Sequence, residues 1–124
     1  MSLDQFDSRS VTVGRVIMPK VPPYPDPDLA PTMAAHVEEA ATLLKALSHE
    51  GRLMILCHLA GGEKSVTELE ELLGQRQAAV SQQLARLRLE GLVSTRRQGK
   101  TIFYAIGNAR VAALLGTLPE LFRG

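Results

Sequence analysis

The stretch RQAAVSQQLARLRLEGLV, residues 76–93, combines an apolar stripe at helical spacing with a face rich in hydrogen-bond donors. The apolar positions that recur on one face are Val80, Leu84 and Leu87. This spacing predicts a helix that begins near Gln77 and ends at Gly91. Its polar face carries no acid before Glu90. The helix therefore either shows water a solvated face or presents a face to an anion.

Basic and acidic residues are segregated around this stretch, although the net charge of the whole chain is only +1. Residues 76–104 hold six Lys or Arg and one acid, whereas residues 62–75 hold four acids and one Lys. A local excess of cations that the average conceals indicates a polyanionic partner.

Two helices are predicted upstream. Apolar residues at helical spacing predict a first helix over residues 32–47. Ser48 is the predicted N-cap of a second helix, which Gly61 and Gly62 end.

A short capped helix is predicted directly ahead of the quoted stretch. Ser65 followed three residues later by Glu68 is the pattern of a capping box, and Gly74 is the predicted stop of that helix. Residues 74–76 then connect it to the helix of residues 77–90. A short helix, a tight turn and a longer helix predict a helix-turn-helix, whose second helix enters the major groove of DNA.

Small and polar side chains on the second helix lie opposite its apolar stripe. They are Gln77, Ala78, Ser81, Gln82 and Ala85. The two glutamines can each offer a paired donor and acceptor to adenine, and the alanines permit a close approach to the bases. Arg86 adds a cation on the same helix.

Residues 93–106 change from helical to alternating spacing. Two strands are predicted from the alternate apolar positions Val93, Thr95, Ile102, Tyr104 and Ile106, with a turn at Gln98 and Gly99. The cations Arg96, Arg97 and Lys100 fall at the tip of this hairpin. Such a tip predicts a wing that contacts phosphate, while the helix reads the bases.

The predicted fold is mainly α with a small β-hairpin, a winged helix-turn-helix in the order α-α-α-α-β-β-α. Asn108 is the predicted cap of a last helix over residues 109–122, and we expect Pro119 to disturb its final turn. Residues 30–124 form the predicted DNA-binding domain. Residues 1–29 form a flexible segment, since six of the seven prolines lie in residues 19–31 and favour extended or disordered chain over helix.

The composition excludes several classes of protein. A single cysteine, Cys57, excludes an intrachain disulfide and an all-cysteine metal site. No apolar run approaches the roughly 20 residues that span a bilayer, and the N-terminus lacks a signal-peptide pattern, so a cytoplasmic protein without membrane contact is expected. No enzyme is expected, because the chain lacks a glycine-rich phosphate loop and a catalytic constellation around its one thiol.

Four blocks resemble the ArsR family of winged-helix repressors. They are LSHEGRLMIL (47–56), SVTELEELL (65–73), RQAAVSQQLARLRLEGLV (76–93) and RRQGKTIFYAI (96–106). The resemblance implies a homodimer whose interface is formed by the first and last helices, here residues 32–47 and 109–122. It also implies a repressor that an inducer releases from an operator in double-stranded DNA.

Many members of that family bind metals, but the thiolate pair they use on their third helix would fall within VTELEELL, which has no Cys or His. His36, His49 and His58 are scattered and are expected to be surface or capped residues. Neither a metal nor any other cofactor is predicted, and the cysteine–proline pair expected of a haem site is absent.

The block RLMILCHL, residues 52–59, is similar to the reactive-sulfur (persulfide) sensing branch of the family, which contains repressors of sulfide-oxidation genes and of biofilm-growth sulfur genes. The resemblance implies that Cys57 is the sensing thiol. That branch uses a second cysteine near the end of the last helix, and residues 109–124 contain none. Because Cys57 lies in an apolar helical run, a core-packing role stays open beside the sensing role.

The predicted function is that of a sequence-specific DNA-binding repressor, acting as a homodimer on an inverted repeat and released by an inducer, with reactive sulfur or an oxidant at Cys57 as candidates. Two alternatives remain. One is a winged-helix module whose basic wing docks an acidic protein surface. The other is a DNA-binding repressor without thiol sensing.

Overall fold

The computed structural model describes residues 10–13, 16–19 and 25–123. Within these residues lie six helices: α1 (Leu29–Met33), α2 (Val37–Leu47), α3 (Glu50–Ala60), α4 (Val66–Leu73), α5 (Gln77–Leu89) and α6 (Ala109–Phe122). The strands are β1 (Ser10–Val13), β2 (Val16–Pro19), β3 (Lys64–Ser65), β4 (Val93–Gln98) and β5 (Thr101–Ile106). Helices α4 and α5 form the predicted helix-turn-helix and strands β4 and β5 the predicted wing, which confirms the fold class.

The N-terminal third differs from its prediction. Most of the segment predicted to be flexible, residues 1–29, lies outside the described residues, and the described part includes the antiparallel pair β1–β2. The expectation of no helix in residues 19–31 is wrong at its end, because α1 begins at Leu29. Helix α1 accommodates Pro31 in its first turn, where a backbone N–H has no helical partner to lose.

The predicted first helix, residues 32–47, is interrupted. The backbone N–H of His36 donates to the carbonyl of Met33 at 2.8 Å, closing a turn over residues 34–36. Helix α2 restarts at Val37 with His36 as its N-cap, whose φ of −122° and ψ of 0° are not helical. Uniform apolar spacing did not reveal this interruption.

The N-cap of α3 is His49 and not Ser48. The Nδ1 atom of His49 accepts from the backbone N–H of Arg52 at 3.3 Å. Ser48 keeps helical angles, φ −75° and ψ −12°, and its hydroxyl donates to the carbonyl of Lys45. The first extended residue is His49, so only its side chain is placed to cap.

The remaining capping predictions are confirmed. The Ser65 side chain accepts from the backbone N–H of Glu68 and the Glu68 side chain accepts from that of Ser65, completing the capping box of α4. Gly74 ends α4 with a left-handed φ of 63°. Asn108 caps α6, which continues through Pro119 to Phe122, so Pro119 does not end the helix.

The wing belongs to a three-stranded antiparallel sheet in the order β3-β5-β4. The short strand β3 was not predicted, because two residues show no periodicity. The predicted alternation is confirmed, with Thr95 opposite Tyr104 and Val93 opposite Ile106. Val93 is buried, and Tyr104 and Ile106 pack against the helical core, so this face of the sheet covers the helices.

One aliphatic core joins the helices to the sheet. Its fully buried side chains are Ile55, Leu56, Leu69, Val80, Leu84, Leu87 and Val111. No polar or charged side chain of residues 25–123 is buried with them. Among the described helices, none is both long and apolar enough to cross a membrane.

Gly107→Ala is expected to destabilise the fold by about 1–3 kcal/mol, because an added Cβ overpacks the junction between β5 and α6. That Cβ would lie 2.7 Å from the backbone nitrogen of Ser94 and 2.8 Å from the carbonyl carbon of Val93, and strand backbone cannot yield as a side chain can. Urea unfolding measures the loss. The matched control is Gly61→Ala, whose nearest atom lies at 3.4 Å and whose φ is −82°, so its change should be under about 1 kcal/mol. Equal unfolding midpoints for the two variants would contradict this close packing at Gly107.

Ser65→Ala is expected to cost about 0.5–2 kcal/mol, because the capping box of α4 loses its acceptor. Thr67→Ala, within the first turn of the same helix and exposed, should change stability by less than about 0.5 kcal/mol. Thermal and urea unfolding of both variants check the difference. A Ser65 variant as stable as the Thr67 variant would show that the cap contributes nothing.

Candidate nucleic-acid interface

The rotation of α5 about its own axis is set by its buried stripe. Val80, Leu84 and Leu87 have no solvent exposure. The side chains predicted to read bases lie on the other side: Gln77, Ala78 and Gln82 are exposed and Ser81 is half-buried. The structure therefore brings the predicted reading residues together on the outward side of one helix.

The N-terminus of α5 favours an anion. No acidic residue lies in its first turn, and its N-cap, Arg76, makes no side-chain capping bond. Backbone N–H groups at a helix start carry partial positive charge and are frequent phosphate contacts in protein–DNA complexes. The start of α5 thus combines open donors with an exposed cation.

A glutamine that sequence reasoning overlooked packs α5 against α3. Gln83 is half-buried, and its Oε1 is buried without a hydrogen-bond partner in the described residues. A Cβ added to Gly51 would lie 3.0 Å from Gln83 Nε2, so the glycine permits this close approach. The sequence alone did not indicate that Gln83, which is next to Gln82 in the chain, turns towards α3.

Arg86 is exposed but shares its charge with an acid at the end of its own helix. Its Nε lies 3.6 Å from Glu90 Oε1, and Glu90 Oε2 lies 3.3 Å from Nη1 of Arg52. The Arg52 side chain is only 14% exposed, whereas that of Arg86 is 70% exposed. This chain of contacts ties the C-terminal end of α5 to α3 and leaves Arg86 the more exposed partner.

Two cations at the wing tip are free of acids. Arg97 donates from Nε to the carbonyl of Gly99 at 3.1 Å, and Lys100 is exposed beside it. Neither forms an ion pair within residues 25–123. Gly99, with φ of 63°, lets the two strands turn tightly enough to bring both cations to the tip.

Arg96, the third predicted cation of the wing, is engaged. Its Nε donates to Glu63 Oε2 at 3.1 Å, and its Nη2 donates to the other oxygen of the same carboxylate. Nη1 donates to Gln98 Oε1 at 2.9 Å, and the guanidinium lies 4.9 Å from the ring centroid of Phe103. The hydrogen bonds from Arg96 hold the pKa of the Glu63 carboxyl below its usual value, and they raise the pKa of Arg96.

Sequence reasoning overlooked Glu63 and Phe103 because the pairing of β3 with β5 was not predicted. The signal was present only in part. The observed register places Phe103 opposite Arg96, with the turn at Gly99 and Lys100 and not at Gln98 and Gly99 as predicted. A partner 33 residues earlier in the chain has no local pattern.

Cys57 is exposed on α3, so the core-packing alternative is wrong for this thiol. Helix α3 buries Ile55, Leu56 and Leu59, whereas Cys57 lies on the side of the helix that its own subunit leaves uncovered. Among the described residues, no cluster of three or more His, Cys, Asp or Glu side chains is placed to hold a metal ion.

Known proteins similar to this chain are bacterial regulators. The sequence profile of the family described as "Bacterial regulatory protein, arsR family" matches residues 49–95. The biofilm growth-associated repressor of Agrobacterium fabrum is 48% identical over 92 residues, which are 74% of this chain and 79% of that protein.

Solved structures give the same result. The crystal structure of the transcriptional repressor BigR from Xylella fastidiosa superposes with a TM-score of 0.71 at 46% identity, covering 76% of this chain and 96% of that one. A winged helix-turn-helix DNA-binding domain from Mycobacterium bovis, described as homodimeric, superposes with a TM-score of 0.60 at 34% identity, covering 70% and 81%. The prediction of a transcriptional regulator and not an enzyme is confirmed. This chain belongs to the arsR family of bacterial regulatory proteins.

Proposed function

We propose that this regulator is a sequence-specific repressor that binds an inverted repeat in double-stranded DNA as a homodimer in the cytoplasm. The observation that carries the proposal is the outward face of α5, where Gln77, Ala78 and Gln82 are exposed beside a wing whose Arg97 and Lys100 have no acidic partner among residues 25–123. Both features are anchored to one core.

The outward face of α5 suits base reading in the major groove. The amides of Gln77 and Gln82 match the donor and acceptor edge of adenine, and the methyl group of Ala78 can contact thymine. Ser81, half-buried at the edge of this face, contributes a hydroxyl that serves as donor or acceptor.

Phosphate contacts are assigned to the free cations. Arg97 and Lys100 extend from the wing tip, and Arg76 lies at the start of α5. Arg86 can join them by exchanging the 3.6 Å pair with Glu90 for a phosphate, at little cost because that pair is solvent-exposed.

A second copy of the chain is the proposed cover for apolar side chains on α2 and α6. Val37 and Leu44 on α2 are 58% and 56% exposed, and Phe122 at the end of α6 is 84% exposed. The homodimeric Mycobacterium bovis domain supports this assembly. A dimer that reads two half-sites needs its two copies of α5 about 34–36 Å apart, one turn of DNA.

Cys57 is the proposed site of inducer action. Its exposure lets a polysulfide reach the sulfur. The thiolate attacks a terminal sulfur of the polysulfide, forming a persulfide on Cys57 and releasing a polysulfide shorter by one sulfur atom. With no other cysteine in the chain, the product stays a single-thiol modification within one subunit. A change in the separation of the two α5 helices that costs a few kcal/mol is enough to empty an operator.

Selection from a library of random duplexes should return an inverted repeat with half-site centres about 10 base pairs apart. On that duplex, Gln82→Ala should cost about 1–3 kcal/mol, with little effect on a random duplex. Arg97→Gln and Lys100→Gln should weaken binding to both duplexes alike, and each should lower the salt slope by about one for every phosphate that the variant leaves unneutralised.

Fluorescence anisotropy over 50–200 mM salt measures these effects. Two results would overturn the proposal: binding by the wild-type protein without salt dependence, or weak binding of duplexes without selection of a sequence. Either result would favour a module that docks an acidic protein surface.

Cys57→Ser is expected to bind the selected duplex like wild type but to stay bound after polysulfide treatment, which should release the wild type. Mass spectrometry of the same samples should locate the added sulfur on Cys57 alone, and dithiothreitol should restore binding. If the serine variant is released in the same way, the inducer acts elsewhere, and the DNA-binding proposal is unaffected.

A further inference from the structure

A bidentate ion pair crosses the outer face of the wing sheet. Glu63 directly precedes β3, one edge strand, and Arg96 lies on β4, the other edge strand, with β5 between them. Phe103 on β5 is the register partner of Arg96, and the guanidinium reaches over its ring to the carboxylate. The pair thus joins both edges of the sheet across its central strand.

Most of the donors of this guanidinium are already engaged. All three of its nitrogens donate hydrogen bonds, two of them to Glu63 and one to Gln98, and one of its planar faces lies against the Phe103 ring. A phosphate that bound the Nε and Nη2 edge of Arg96 would have to displace a carboxylate held there by two parallel bonds, the favoured geometry for a guanidinium.

Arg96 also points to a different side of the sheet from its neighbour. Successive side chains of a strand alternate between faces, so Arg97 shares the face of Val93 and Thr95, against which the helices pack. Arg96 lies on the opposite face, with Gln98 and Phe103. Of the two arginines, Arg97 is therefore the one on the side of α5.

We propose that the Glu63–Arg96 pair positions the wing for DNA binding, and that Arg96 acts as a positioning residue and not as a phosphate contact. This inference rests on the proposed function. The pair connects the wing to the segment that starts α4, so it fixes the angle of the tip cations Arg97 and Lys100 relative to the helix-turn-helix. Without the Glu63–Arg96 pair the hairpin samples more orientations. Both tip cations and α5 can reach the duplex together in a smaller share of these orientations.

The two roles predict effects of opposite sign for Glu63→Gln. If Arg96 contacted phosphate, removing its competing carboxylate would strengthen DNA binding and steepen the salt dependence. If the pair positions the wing, the same change weakens binding about two- to fivefold and leaves the salt slope unaltered. Glu71→Gln is the matched control, because it removes an equal charge from the exposed surface of α4 without touching the wing. It should leave affinity unchanged or slightly raised.

Anisotropy titrations on the selected duplex and on a random 30-base-pair duplex measure affinity at several salt concentrations, for Glu63→Gln, Arg96→Met and the double variant. We expect each single variant to lose affinity to the same extent, the double variant to lose no more, and all salt slopes to match wild type. Arg97→Met is the contrasting variant, because it removes a phosphate contact and should lower the salt slope by about one for each wing. Thermal unfolding run in parallel should show every variant fully folded at the assay temperature.

The Arg96 Nε–H signal in nitrogen-15 NMR spectra supplies a second readout. If Arg96 is a positioning residue, the chemical shift of this signal changes in the Glu63→Gln variant and does not change when the duplex is added. A salt slope lowered by Arg96→Met, stronger binding by Glu63→Gln, or an Nε–H signal that moves on DNA addition would each overturn the inference while leaving the DNA-binding proposal intact. A wild-type protein that binds neither duplex would overturn both.

Discussion

The burial of one stripe on α5 is the constraint on which the rest of the structure depends. Val80, Leu84 and Leu87 are buried in the core, and a rotation of the helix by one residue would expose them and bury polar or charged side chains instead. Burying three aliphatic side chains is worth about 1.5–3 kcal/mol each, whereas burying an unpaired polar or charged side chain costs free energy. The outward direction of Gln77, Ala78 and Gln82 follows from this difference and needs no separate stabilisation.

The surface charge of the wing is smaller than a count of its cations indicates. Glu63 neutralises Arg96, so the tip offers two free cations, Arg97 and Lys100, in place of three within the part of the chain that the structure describes. Arg96 gains a bidentate partner and an aromatic surface, and this pairing of opposite charges joins the two edges of the sheet. Affinity for a polyanion and rigidity of the wing are thus assigned to different residues of the same short hairpin.

Predictions from the sequence succeeded where the responsible contacts are local. The capping box of Ser65 and Glu68, the left-handed stop at Gly74 and the alternation of the wing strands all depend on residues close together in the chain. The outward face of α5 was predictable because its apolar spacing is regular.

The failures have physical causes of two kinds. The cap at His49 and the turn before Val37 depend on backbone angles that composition does not reveal. The partners of Arg96 and the exposure of Cys57 depend on which elements meet in three dimensions. The contact between Arg96 and Glu63 depends on the pairing of β3, a strand of two residues. No sequence period can reveal so short an element.

Ser65 belongs to two elements at once, since its backbone pairs with Phe103 in the sheet while its hydroxyl oxygen caps α4. The wing and the first helix of the helix-turn-helix therefore meet at a joint without a flexible linker. A displacement of either must be transmitted to the other, so the two halves of the proposed DNA-contacting surface will move as one unit. Both halves would then engage or leave the duplex together.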